Sequence, residues 1–90
     1  PNRTGFMYAC LKNHVDTVKY LLSSVDKFNM NLVTSNGYSG FYFACLEGNN
    51  EIVQILLQDA RVDFMLSDKW NLSPLMCAAF NGNTETIKII

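Results

Sequence analysis

The sequence predicts an all-α solenoid built from stacked helix-turn-helix units. Hydroxyl residues recur at Thr4, Ser39 and Ser73, which are 35 and then 34 positions apart. One alanine column and two apolar columns keep the same spacings: Ala9, Ala44 and Ala78; Val18, Val53 and Ile87; Leu21, Leu56 and Ile90. Each copy also contains two apolar patterns of helical period. A repeat of this length indicates an array, because one unit alone cannot bury its apolar faces.

Composition narrows the classes of partner. The 90 residues are 49% hydrophobic and only 17% charged, with a net charge of −1 at pH 7. A protein that neutralises nucleic-acid phosphates normally carries a basic face, and none is indicated here. No apolar run approaches the ~18 residues of a membrane-spanning helix. We therefore expect neither nucleic acid nor a membrane as the partner.

The second copy of the repeat defines the expected elements. Ser39 is a helix N-cap candidate, because its hydroxyl can accept a hydrogen bond from a first-turn N–H group. The first helix is predicted from Gly40 to Glu47 and the second from Asn50 to Gln58. Gly48 separates them, and Asn13 and Gly82 hold the same column. Glycine and asparagine tolerate left-handed backbone after a helix, so one turn geometry is expected in all three copies.

The segments between the helix pairs are rich in turn-forming residues. They run over 26–38 and 59–72, and they contain short extended stretches that could project as hairpins. We divide the chain into repeats at 1–33, 34–67 and 68–90, with the third ending inside its second helix. The apolar pattern still continues at Ile90, and we expect neighbouring repeats beyond both ends.

These columns resemble the ankyrin-repeat family. Its unit is a β-turn plus two helices with a Thr-Pro-Leu-His-x-Ala signature. The segment 73–79 matches this signature best, and the resemblance covers the whole chain. Insertions of one residue between Leu57 and Val62 and of two between Leu22 and Phe28 account for the longer spacings.

The chain departs from the family pattern in two columns. Gly5 and Gly40 replace the signature proline, so softer helix starts are expected. The signature histidine is replaced by Met7, Tyr42 and Met76. The hydrogen bond that this histidine makes to the cap hydroxyl should therefore be absent from all three units, which predicts lower local stability.

Residues that could carry chemistry are few. His14 is the single histidine, and the family resemblance implies a structural role in its column. Cys10 and Cys45 share a column of adjacent units, where helix spacing of about 8–10 Å is too wide for a disulfide. We expect them to be free, buried thiols in a reducing, intracellular compartment, either cytoplasmic or nuclear. No catalytic site, cofactor or metal is expected.

The candidate binding residues follow from the resemblance, which implies that the turn tips and the first-helix surfaces bind partner proteins. Tyr38 and Trp70 lie in connectors, where an aromatic residue has little core to join. We expect Tyr38 with Trp70, and Leu46 with Phe80, to form two parallel rows across adjacent units. The candidate partner-binding set is Tyr38, Trp70, Lys69, Phe43, Leu46, Glu47, Phe80, Asn81 and Lys12.

The predicted function is protein–protein recognition by a non-enzymatic module that binds another protein or peptide. One alternative is a targeting or substrate-recruiting arm of a larger multidomain enzyme. A second is a structural spacer without its own ligand. Exposed apolar residues on the turn tips and first helices would favour a binding module over a spacer.

Overall fold

A computed structural model describes residues 3–24 and 29–90 of the chain. Its helices are α1 (Gly5–Leu11), α2 (Val15–Ser23), α3 (Gly40–Glu47), α4 (Asn50–Leu57), α5 (Pro74–Phe80) and α6 (Thr84–Ile89). The described ranges contain no β-strand. The all-α fold class is therefore confirmed, with α3 at its predicted bounds and α4 one residue shorter at its end.

The hydroxyl column starts each first helix. The hydroxyl oxygens of Thr4, Ser39 and Ser73 accept hydrogen bonds of 3.2, 3.0 and 3.1 Å from the backbone N–H three residues later. This bond satisfies one of the N–H groups that a helix start leaves without an internal partner. The three caps explain why a hydroxyl residue recurs at this spacing.

The glycine and asparagine column ends each first helix in left-handed backbone. Asn13, Gly48 and Gly82 have φ values of 61°, 67° and 68°. Most residues avoid this conformation, whereas glycine has no Cβ to clash and asparagine is among the side chains that tolerate it. The single repeated turn geometry predicted for this column is confirmed.

First helices stack on first helices, and second helices on second helices. One layer runs α1–α3–α5 and the other runs α2–α4–α6. The side-chain amide of Asn49 donates to the carbonyls of Cys10 and Leu11 at 2.7 and 3.2 Å. Asn83 repeats this bond to Cys45 and Leu46 at 3.0 and 3.1 Å. Both junctions thus use a neighbouring unit to satisfy carbonyls that a helix end leaves free.

The core lies between the two layers and between adjacent units. Phe6 and Phe41 are buried, whereas Leu75 in the same column is 44% exposed. No described helix follows α5 and α6, so none covers that face of the third unit. The fully buried set from the apolar columns includes Val18, Ile52, Val53 and Leu56, together with Ala44, Ala78, Cys10 and Cys45.

Packing against Phe6 explains the glycine at position 40, which the repeat column alone did not suggest. A Cβ at this position would lie 2.5 Å from the Phe6 ring. Gly40 therefore allows α3 to approach the first unit closely, and a proline there would need Phe6 to move. No Cβ contact within 4 Å would arise at Gly5, so the two glycines of this column serve different purposes.

The lost histidine bond is replaced in the second unit by a different one. The phenol of Tyr42 donates to the Asp68 carboxylate at 3.0 Å, which joins α3 to the next connector. In the first unit, the Thr4 N–H donates to the Met7 sulfur at 3.3 Å. The histidine column therefore still carries polar contacts in these two units.

Over residues 29–38 and 59–72, the connectors form hydrogen-bonded turns rather than strands. The predicted extended stretches at 30–33 and 62–66 contain no strand. The insertion placed between Leu22 and Phe28 lies outside the described residues. The repeat boundaries at 33/34 and 67/68 fall immediately before the turns at 34–38 and 68–72. These boundaries stay a prediction.

Candidate protein-binding surface

Two equivalent turns lead into α3 and α5. We call residues 34–38 the first turn and residues 68–72 the second turn. The N–H of Thr34 donates to the Tyr38 carbonyl at 3.0 Å, and the N–H of Asp68 donates to the Leu72 carbonyl at 2.9 Å. Gly37 and Asn71 occupy the same left-handed position, with φ values of 85° and 65°. The two turns therefore share one backbone path.

Asp68 fixes the second turn from inside. It is buried, and one carboxylate oxygen accepts from the N–H groups of Trp70 and Leu72 at 2.8 and 2.9 Å. The other oxygen accepts from the Tyr42 phenol. Burial alone would raise the pKa of Asp68, but the bonds from Leu72, Trp70 and Tyr42 hold it below its usual value. A carboxylate with these donors holds the backbone of Trp70 in place.

The tips of the two turns touch. The Lys69 N–H donates to the Asn36 carbonyl at 3.0 Å. A Cβ on Gly37 would lie 2.9 Å from both the Asp68 Cα and the Lys69 nitrogen. Gly37 is thus required twice, by its positive φ and by the close approach of the next turn. The two tips form a single rigid edge.

A continuous line of rings and cations runs along this edge. The Tyr38 ring centroid lies 5.7 Å from that of Phe43 and 6.5 Å from that of Trp70. Arg3 Cζ lies 5.0 Å from the Phe43 centroid, and Lys69 Nζ lies 4.8 Å from the Trp70 centroid. We call these residues, Arg3, Phe43, Tyr38, Trp70 and Lys69, the aromatic strip. It crosses all three units at the starts of their first helices.

Tyr38 and Trp70 contact each other, but they do not share a column. The equivalent of Tyr38 is Leu72, and the equivalent of Trp70 is Asn36, because the turns pair Thr34 with Asp68. The predicted row of equivalent aromatics is therefore wrong. Tyr38 lies at the base of its turn, half-buried and stacked on Tyr42 at 4.7 Å. Trp70 lies at the tip and is 58% exposed.

Phe43 is not available to a partner. Its side chain is only 1% exposed, because it packs into the core below Arg3 and Tyr38. The expectation that Phe43 contributes contact surface is corrected by this burial. Its ring instead supports the two residues above it.

The second row on the first helices has the predicted register. Leu46 on α3 and Phe80 on α5 are equivalent, as are Glu47 and Asn81. Phe80 is 88% exposed, whereas Leu46 is half-buried. Lys12 and Glu47 are exposed at the ends of their helices, and the Asn81 amide donates to the Leu46 carbonyl at 3.3 Å.

Sequence reasoning missed two residues of this surface. Tyr8 is 48% exposed on α1, and Arg3 lies 5.7 Å from its ring centroid and 5.0 Å from that of Phe43. Tyr8 holds the same column as Phe43, so column equivalence could have found it. Arg3 precedes the first cap, and the sequence carries no signal for its contact with rings in two units.

The prediction of free, buried thiols is confirmed for Cys10 and Cys45. Cys10, Cys45 and Cys77 are free and buried. Burial raises the pKa of Cys10 and of Cys45 to about 12, and it raises the pKa of Cys77 as well. Nucleophilic cysteines require the opposite shift, because the thiolate is the reactive form. The described residues contain no group of three His, Cys, Asp or Glu side chains placed to hold a metal ion.

Comparison with known families identifies the repeat. The model of the family of ankyrin repeats in three copies matches residues 6–90. The chain belongs to the ankyrin-repeat family. Members of this family generally act as protein–protein interaction modules and are typically non-catalytic. Over the described ranges, no helix is both long and apolar enough to cross a membrane.

Similar curated proteins are much longer than this chain. Human transient receptor potential cation channel subfamily A member 1 is 30% identical over 88% of the chain, which spans 10% of that protein. Tyrosine-protein kinase HTK16 of Hydra vulgaris is 31% identical over 97% of the chain and 12% of the kinase. The Drosophila melanogaster ankyrin repeat and KH domain-containing protein mask is 34% identical over 91% of the chain and 2% of that protein. The chain therefore spans no more than 12% of the length of any of these three proteins.

The fold also occurs among solved structures. A chain in the complex of the Bdellovibrio bacteriovorus predatory endopeptidase Bd0816 with immunity protein Bd3460 superposes with a TM-score of 0.84. It is 22% identical, and the match covers 98% of this chain and 45% of that one. This similarity concerns the stacking of the helices.

Proposed function

We propose that this chain is a protein-binding module whose contact surface combines the turn tips with the exposed row on the first helices. The observation that carries the proposal is Trp70. It is 58% exposed, yet it sits on a turn that the Asp68 carboxylate holds rigid through two backbone hydrogen bonds. A large exposed aromatic on a rigid turn combines ample contact area with a small loss of conformational entropy on binding.

Phe80 extends the same surface along the first helices. It is 88% exposed, and nothing in its column explains a phenylalanine there, since Leu11 and Leu46 are half-buried aliphatic residues. Interface hot spots are enriched in tryptophan and tyrosine and cluster near the centre of a contact. We propose that Trp70 anchors the partner and that Phe80 enlarges the contact.

The test compares three truncations of exposed aromatics in the full chain. Trp70→Ala and Phe80→Ala remove side chains from the proposed surface, and Tyr20→Ala removes a 73% exposed ring from α2. Proteins captured by the wild-type chain from a cell extract are quantified for each variant, and a captured partner is then purified for affinity measurements. We expect Trp70→Ala to weaken its binding by about 1–3 kcal/mol.

Tyr20→Ala is the control that shows whether a loss of captured partners is specific to the proposed surface. Tyr20→Ala should retain every partner, because it lies on the opposite layer. Partners lost equally with all three variants would place the contact elsewhere and contradict the proposal. A chain that captures no protein above an unrelated helical control would favour the structural spacer.

We propose further that this chain has no catalytic role of its own. Its three thiols are buried and hold their protons more tightly than an ordinary cysteine does. Asp68, the buried carboxylate of the surface, is occupied by three hydrogen bonds and has its pKa lowered, which suits a structural acceptor rather than a proton donor.

A second candidate function is a recruiting arm within a larger protein. It is favoured by the relatives, in which the matched repeats span 2 to 12% of proteins that include a tyrosine kinase. The same surface would then bring a substrate to another domain. In the protein that carries this chain, Trp70→Ala would lower activity on that substrate and leave activity on a small model substrate unchanged.

A further inference from the structure

The charges of the described residues are arranged differently on the two layers. Three cations on the second-helix side pair with carboxylates: Lys19 with Glu51 at 3.9 Å, Lys88 with Glu85 at 3.5 Å and Arg61 with Asp59 at 2.7 Å. Within residues 3–24 and 29–90, Arg3, Lys12 and Lys69 have no carboxylate at ion-pair distance. Among the described residues, the cations without an ion pair thus lie on or beside the proposed contact surface.

The two cations of the aromatic strip are held at its ends. Arg3 lies over Phe43 and Tyr8, and Lys69 lies over Trp70 at 4.8 Å. Contact with a ring face orients a cation but leaves its charge uncompensated by any anion. The nearest carboxylate along the chain from Lys69 is Asp68, and its oxygens are already taken by Trp70, Leu72 and Tyr42. Both cations can therefore accept a carboxylate from a partner.

The rings between these cations determine how long a bound peptide would be and which side chains would suit its centre. Successive members of the strip are 4.8 to 6.5 Å apart, so the path from Arg3 to Lys69 through the rings is at most about 22 Å long. An extended peptide rises about 3.3 Å per residue, so roughly five to seven residues would cover the strip. The middle of that peptide would lie on Tyr38 and Trp70, which favours apolar side chains there.

We propose that the aromatic strip binds an extended protein segment that carries carboxylates on both sides of an apolar centre. One carboxylate pairs with Arg3 and the other with Lys69, and the apolar centre packs on Tyr38 and Trp70. This inference rests on the proposed function and adds to it the chemistry of the partner. A nucleic acid is disfavoured, because the chain has a net charge of −1 and the strip holds only two cations.

The experiment selects ligands without assuming one. Phage-displayed random twelve-residue peptides are selected on the full chain and, in parallel, on its Trp70→Ala variant. We expect the peptides enriched by the wild-type chain but lost on Trp70→Ala to contain acidic residues on both sides of an apolar stretch. The best peptide is then synthesised with a fluorescent label, and its Kd is measured by anisotropy in about 50 mM and about 500 mM NaCl, because salt screens exposed ion pairs.

Charge variants test each end of the strip. Arg3→Gln and Lys69→Gln should each weaken the labelled peptide about twofold to fivefold, the range for an exposed ion pair. Lys69→Arg should retain affinity, and Lys69→Glu should favour a peptide in which only the acid that pairs with Lys69 is replaced by lysine, because Arg3 still binds the other acid. Lys19→Gln and Lys88→Gln remove cations from the other layer and should change nothing.

The outcomes separate this inference from the proposed function. Enriched peptides that depend on Trp70 but are neutral or basic would overturn the inference and leave the proposed function standing. Peptides that bind equally to Trp70→Ala would contradict both. A selection that yields no binder above background would overturn the inference alone, because the proposed function also admits a folded partner. A labelled twelve-nucleotide poly-dT that binds more tightly than the acidic peptide, and that loses affinity with Lys69→Gln, would identify a nucleic-acid site and overturn the inference.

Discussion

The first turn and the second turn follow the same backbone path, but the first carries its aromatic residue at the base and the second carries its own at the tip. Each begins with a residue whose side-chain oxygen accepts a hydrogen bond from the turn backbone, Thr34 from Tyr38 at 3.2 Å and Asp68 from Trp70 at 2.8 Å. Tyr38 is the last residue of its turn, and its ring stacks on Tyr42 of α3. Trp70 is the middle residue of its turn, and its ring stands in solvent beside Lys69.

A shift of two positions within one turn therefore changes the role of an aromatic side chain. At the base, the ring lies above the first helix and joins the packing of the unit. At the tip, the ring has only the neighbouring turn beneath it. In these two turns, the column of an aromatic residue decides whether it stabilises the fold or remains available to a partner.

The largest expected effect comes from breaking the contact between the turns. Gly37→Ala places a Cβ 2.9 Å from the Asp68 backbone and adds the strain of a positive φ of 85°. We expect the free energy of unfolding to fall by about 2–4 kcal/mol, the combined range for backbone strain and overpacking. Denaturant unfolding followed by circular dichroism measures this loss.

Gly82→Ala is the matched control for backbone strain alone. Its φ is 68°, but no atom lies within 4 Å of the added Cβ, so a loss of about 1 kcal/mol is expected. Equal losses for the two variants would show that the close approach of the turns contributes nothing to stability.

The next prediction separates the two aromatics. Tyr38→Ala removes a half-buried ring that contacts Tyr42 and Phe43, and it should lower the free energy of unfolding by about 1.5–3 kcal/mol. Trp70→Ala should cost less than about 1 kcal/mol, because its ring is mostly exposed. Thermal melting of both variants under one condition makes the comparison, and a larger loss for Trp70→Ala would contradict the assignment of base and tip.

The repeated parts of the fold were predictable because their causes are local. A hydroxyl cap needs a particular side chain at one position, and a left-handed helix end needs glycine or asparagine at another. Both requirements recur in every unit, so Thr4, Ser39 and Ser73, and then Asn13, Gly48 and Gly82, mark the elements without knowledge of the tertiary structure. The apolar columns add the buried faces, which is why the bounds of α3 were predicted correctly.

The candidate site was less predictable because it depends on contacts between units. Phe43 was expected at the surface, but Arg3 and Tyr38 cover it, and neither contact has a counterpart in the sequence pattern. The bond from Tyr42 to Asp68 joins residues 26 positions apart and occurs at one junction only. Features that occur once leave no periodic signal.

The second turn contains a buried carboxylate, Asp68, and the first turn contains none, so the stability of the second turn should depend on pH. The pKa of Asp68 is lowered in the folded chain, so the ionised form stabilises folding. This contribution is present above the unfolded value of about 3.9 and is lost as the pH falls through the lower folded value. Asp68→Asn should therefore be less stable at neutral pH, and its unfolding should depend less on pH in the acid range. Tm measured from pH 7 down to about pH 2.5 tests this sign.

Asp63→Asn serves as the control, because it removes the same formal charge from an exposed position. The first turn provides a second control, since its Thr34 hydroxyl does not titrate. Thr34→Ser should leave the acid dependence of Tm unchanged. An acid dependence equal in wild type and Asp68→Asn would mean that the carboxylate does not contribute to the second turn as an anion.

The smallest expected effect comes from exchanging the left-handed residues of the two turns. Asn71→Gly relieves a φ of 65° at an exposed position, but glycine also raises the conformational entropy of the unfolded chain. These two contributions oppose each other, so the free energy of unfolding should change by less than about 0.5 kcal/mol. Gly37→Asn makes the reverse exchange at nearly the same φ, yet its Cβ would meet the Asp68 backbone, so a loss close to that of Gly37→Ala is expected. Denaturant unfolding of both variants measures this asymmetry. If Gly37→Asn were as well tolerated as Asn71→Gly, the positive φ alone would explain the glycine, and the turns would not need to approach so closely.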